Sequence, residues 1–80
     1  MRKAAAAIVL ALAGCSSAGE KAEQRYQMVK NNRGSHADLC AAGKEVVRGY
    51  LEDGNDKKYA DWKLYADIDC LSADLDRSRP

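Results

Sequence analysis

Past residue 19, the chain reads as three stretches of apolar residues at helical spacing, separated by polar breaks. Over residues 20–30, Ala22, Tyr26 and Val29 recur on one face with Met28 beside them, the period of a helix rather than a strand. Asn31-Asn32-Arg33-Gly34 stops that pattern. Ser35 then stands three residues before Asp38, a capping-box spacing that predicts the start of a second helix. Leu39, Gly43, Val46 and Tyr50 form its stripe, flanked by Cys40, Val47 and Leu51. Gly43 inside a helix costs about 1 kcal/mol of propensity, which points to a neighbour crossing closely there.

Glu52-Asp53-Gly54-Asn55-Asp56 is the strongest turn signal. Gly54 suits the left-handed residue that ends a helix, and Asn55 or Asp56 suits the cap of the next. The third helix, residues 56–75, is apolar on two sides. Tyr59, Trp62, Ala66, Cys70 and Ala73 make one stripe; Leu64, Ile68, Leu71 and Leu75 make the other. Two apolar faces require two neighbours, or one neighbour and a partner molecule. The first helix can supply the second neighbour, so the expected architecture uses every stripe. It is all-α: a small three-helix bundle, or a helical hairpin plus one helix. The only proline is Pro80, threonine is absent and β-branched residues are few, which leaves little to build a sheet with.

Residues 1–19 are of a different kind. Met1-Arg2-Lys3 is basic, and residues 4–13 are uncharged and mostly apolar. That is the layout of a secretory signal peptide, too short for an ordinary transmembrane helix. Leu12-Ala13-Gly14-Cys15 then resembles the lipobox of bacterial lipoproteins. The resemblance implies that residues 1–14 are removed, that a diacylglycerol is joined to the Cys15 sulfur, and that an acyl chain caps its new amino group. No other cofactor is expected. Two or three chains, at about 0.8 kcal/mol per buried methylene, hold a protein stably to a membrane. Ser16 follows the cysteine in place of aspartate. By analogy with Gram-negative lipoproteins this implies outer-membrane sorting, with the domain facing the periplasm. Residues 15–19 are then a lipidated tether and residues 20–80 the helical domain.

With Cys15 taken by lipid, Cys40 and Cys70 form an even pair in an oxidising compartment, which reads as one disulfide. Cys40 lies fourteen residues before Gly54 and Cys70 sixteen after it. At 1.5 Å per residue both lie roughly 21–24 Å from the bend, so two antiparallel helices bring them level. Such a rung contributes on the order of 3–4 kcal/mol by loop closure. One histidine and no Cys-x-x-Cys argue against a metal site.

Charge gives no signal for nucleic acid: the whole chain is net +1, and without Arg2 and Lys3 it carries 11 basic against 12 acidic side chains. Catalytic groupings do not stand out either. His36 beside Ser35 has no third member, and a non-enzymatic role is expected. The residues left as a candidate partner surface are Tyr59, Trp62, Tyr65, Asp67, Asp69 and Asp74. The rings are either the core of a small bundle or interface anchors, and the acids either a solvated face or a docking patch. The function expected is a small membrane-anchored binding or structural component of the bacterial envelope, with an envelope protein as partner. In size, lipobox and paired cysteines the chain also resembles small conjugative exclusion lipoproteins, which implies an inhibitor as the alternative.

Overall fold

The computed structural model describes residues 16–79. The expected signal segment 1–14, its expected cleavage point and Cys15, the expected lipidation site, lie outside the described residues. Three helices follow: α1 (Ala18–Asn31), α2 (His36–Asp53) and α3 (Asp56–Ser78), with no strand among the described residues.

α1 begins earlier than residue 20, because Ser17 caps it. The Ser17 hydroxyl accepts from the Glu20 N–H at 3.0 Å, and the Ser17 N–H donates to Glu20 Oε1 at 3.2 Å. This reciprocal pair satisfies two N-terminal donors. The helix therefore takes in Ala18 and Gly19 of the expected tether, with Ser17 as its cap. α1 ends where Asn32 donates to Met28 O and Gly34 donates to Val29 O; Arg33 is the residue with positive φ, at 59°. The Ser35–Asp38 box forms as the spacing predicts, with both bonds at 3.1 Å. Gly54 closes α2 in the left-handed conformation, φ 71°. Asn55 caps α3 by accepting from the Lys58 N–H at 3.1 Å.

α2 is the central helix, with α1 and α3 each packed against it. The core joins Ala22 and Tyr26 of α1, Ala42, Val46 and Tyr50 of α2, and Trp62 of α3; Val29, Leu39, Val47 and Tyr59 pack around them. Small residues on α2 let α3 come close. A β-carbon on Gly43 would meet Ala66 Cβ at 3.2 Å, the close crossing that the mid-helix glycine implied. Away from the turn, Cys40 and Cys70 are joined across α2 and α3, with Cα atoms 4.6 Å apart. The hairpin with its rung is as the cysteine spacing requires.

One expectation fails. α1 does not lie against the second stripe of α3, and the two helices meet only through long side chains. Tyr26 sets its ring edge-on to Trp62, centroids 4.9 Å apart, and its hydroxyl donates to Asp69 Oδ2 at 2.6 Å. The reason lies in α1 itself. It has a single apolar face, and α2 takes it. Leu64, Ile68, Leu71 and Leu75 therefore stay 53–62% exposed.

Candidate functional site: the outer face of α3

Helical spacing sorts the aromatic and acidic candidates onto different sides of α3. Trp62 is 8% exposed and belongs to the core, and Tyr59 is half-buried against it. For these two the packing role wins, because both join the core cluster built on Val46 and Tyr50 of α2 and Tyr26 of α1. Trp62 is thereby removed from any partner surface. Tyr65 is different: it stands 55% exposed, edge-on to Trp62 with centroids 5.5 Å apart.

The acids do not converge. Asp69 accepts the Tyr26 hydroxyl. Desolvation, reinforced by that bond and by the Asp69 charge, pushes the Tyr26 phenol up to about 12. Asp67 lies 3.9 Å from Lys63 and Asp74 pairs with Arg77, each along the same helix. Asp76 meets His36 Nδ1 at 2.6 Å, near the disulfide end. Each carboxylate is occupied locally, and among the described residues no three acidic, cysteine or histidine side chains are grouped to hold a metal. Arg25 of α1 faces Glu45 of α2 at 4.0 Å, and among the described residues no ion pair joins α1 to α3.

What remains as a continuous surface is the stripe of Leu64, Ile68, Leu71 and Leu75 with Tyr65 at its edge. The period of the sequence marks these residues as apolar; their exposure follows from the reach of α1, which the period does not encode.

A second feature was hidden in the turn. Asp53, the last residue of α2, accepts from the N–H groups of Ala18 and Gly19 at 3.1 and 2.9 Å. An acid there opposes the dipole of its own helix, but it sits on the positive N-terminus of α1. The Gly19 N–H holds the Asp53 carboxyl below its usual range; desolvation opposes this, and the Ser17 hydroxyl and the Ala18 N–H add to it. The crossing is tight enough that a β-carbon on Gly49 would come within 2.7 Å of Ala18 O. Beside the clasp, Tyr50 donates to Glu23 Oε1 at 2.6 Å, and its phenol is pushed up by desolvation and then by that carboxylate. An open groove of about 510 Å³ runs past Glu20, Glu23, Tyr50, Asp53 and Lys58. Its polar groups are the same ones that fix α1 to α2, so it is a seam between helices.

Among the described residues, no helix is long and apolar enough to cross a membrane. No protein family matches the chain, and no curated protein or solved structure matches it either, so the role of the α3 face is argued from its own residues.

Proposed function

We propose that the chain is a small lipid-anchored, non-enzymatic binding component of a bacterial cell envelope, sorted to the outer membrane and facing the periplasm. The leader and the Leu12-Ala13-Gly14-Cys15 motif support the anchor. The disulfide suits an oxidising compartment. The observation that carries the binding role is the outer face of α3, whose apolar side chains no element of the described chain covers. A patch of this kind marks an interaction surface in a small soluble domain. The polar groups open to a chemical reading have structural partners: His36 has Asp76, Tyr26 has Asp69, Tyr50 has Glu23 and Asp53 has the start of α1.

The clasp gives this reading a geometry. Ser17 caps α1, and Asp53 holds Ala18 and Gly19 against the end of α2. An anchor joined ahead of Ser16, the first described residue, would therefore meet the domain on the side of the α2–α3 turn. Anchored there, α3 runs away from the membrane and presents its free face sideways. Mass spectrometry of the membrane fraction tests the anchor: the first residue should be Cys15 carrying a diacylglycerol and an acyl chain. Cys15→Ala should leave an unprocessed, unacylated chain. An unacylated wild-type chain beginning at Met1 in the cytosol would overturn the proposal.

A further inference from the structure

Leu64, Ile68, Leu71 and Leu75 follow one another at spacings of four, three and four along an unbroken helix of 23 residues. That is the heptad rhythm of a coiled-coil seam, with 64 and 71 at d and 68 and 75 at a. Leucine at both d positions with isoleucine at one a position, Ile68, suits two strands; the other a position is Leu75. The seam has defined ends: Asp61 occupies the preceding a position and Ser78 the following d position. Four layers remain, about 17 Å of helix. The side facing away from the seam is already buried on α2 through Trp62, Ala66 and Ala73.

We infer that this face pairs with the same face of a second copy of the chain, the two α3 helices lying parallel. The inference deepens the binding role proposed above and rests on it. Edge charge selects the occupant and its direction. The g positions are Asp67 and Asp74, and the following e positions are Ser72 and Arg79. In a parallel pair each g residue faces the next e residue of the other copy, so Asp67 meets serine and Asp74 comes to the end of the helix capped by Arg79, with no like charge set against either. An antiparallel pair sets Asp67 against Asp74 twice, a like-charge contact that is destabilising. A basic partner helix has less to gain, because Asp67 and Asp74 already have Lys63 and Arg77 beside them.

Area selects the setting. Five side chains that are more than half exposed present on the order of 500 Å² per copy, so pairing removes on the order of 1,000 Å², the lower edge of specific interfaces. Such a pair is weak in dilute solution and forms where copies are crowded on one surface. Lipid anchoring supplies the crowding. It also attaches both copies by the same end, which is the parallel arrangement.

The test uses the full chain with its leader, produced in a bacterial envelope and treated with a mild oxidant. Leu64→Cys and Leu75→Cys are made singly, with Lys30→Cys on α1 as control. Each stripe variant alone should give a disulfide-linked dimer at least fivefold above both the control and the wild type. Adding Ile68→Asp should return the dimer to control level while Cys40 and Cys70 stay masked to alkylation. Dimers that form only when the Leu64→Cys and Leu75→Cys chains are produced together would overturn the parallel pair. An adduct to a different protein would overturn the second copy and leave the binding role standing. No adduct of any kind would remove both, whereas the mass of the Cys15 peptide reports the anchor separately.

Discussion

Replacing Cys40 and Cys70 together by alanine asks whether the staple or the core holds this domain. The core is thin: among the described residues, Val46 is the only large side chain below 2% exposure. At the usual 0.05–0.15 kcal/mol per residue, a domain of this size is stable by about 3–10 kcal/mol. The bond joins residues 30 apart, for which the chain-entropy relation gives about 3.6 kcal/mol at 25 °C. Both cysteines are half-buried, so alanine there removes little packing, and the effect falls on the unfolded chain. Urea unfolding followed by Trp62 fluorescence measures it on the chain from Ser16 onward. With a slope near 1 kcal/mol/M for so small a domain, the midpoint should fall by roughly 3 M. The slope itself should rise, because an unlinked unfolded chain exposes more surface. A midpoint lowered by less than about 1 M at unchanged slope would refute the reasoning, and would mean that the aromatic core carries the stability alone.

Three further outcomes follow from local geometry. Asp53 has its carboxyl depressed in the folded state, so its contribution is present above the ordinary carboxylate range and is lost as pH falls through the folded value; Asp53→Asn should flatten the acid limb of stability measured by circular dichroism, and an unchanged limb would count against the clasp. Tyr26 is raised to about 12, so its contribution is intact below about pH 10 and fades as pH rises towards 12; Tyr26→Phe should cost about 1–2 kcal/mol at pH 7 and make the alkaline limb shallower in the same urea assay. Arg33 holds a positive φ without being glycine, and Arg33→Gly should raise stability by about 0.5–1 kcal/mol, seen as a higher melting temperature.

The three helices, the Ser35 cap, the Gly54 turn and the rung were legible because each rests on a short or periodic signal. Capping boxes act over three residues, and the hairpin fixes the rung by counting from one glycine. The start of α1 was less legible, because Gly19 in the first turn looks like part of a tether. It is small for a tertiary reason: the Tyr50 ring lies where its β-carbon would go. The Asp53 clasp reaches 34 and 35 residues back along the chain, and no periodicity announces a carboxylate landing on a distant helix end. Among the aromatics, spacing alone could not separate Trp62 from Tyr65. The packing of the core decides that, since the Tyr26 ring of α1 closes over Trp62 and leaves Tyr65 at the border. The second stripe of α3 was visible as apolar, but its partner was misassigned, since period reports which residues share a face and not whether a neighbour reaches it.

The two long-range ties bear on the binding role proposed for that uncovered face. Asp53 holds the start of α1 at one end of α2, and Cys40 holds the far half of α3 near the other; thirteen residues separate them, about 20 Å along the helix. α3 is thus fixed to α2 at the turn and again at Cys70, and Leu64 and Ile68 lie between those two points. That half of the stripe, pinned on both sides, has little left to order when something binds it, and Leu71 and Leu75 follow directly on the rung. Association therefore loses less entropy than it would on a free helix. This is how a face of only four layers can matter: its area is marginal, but its shape is set before contact. On the proposed pairing, the same reasoning gives the staple a part in binding as well as in folding. Reducing it should weaken contacts through Leu71 and Leu75, next to the lost rung, more than contacts through Leu64, nearer the turn that still holds.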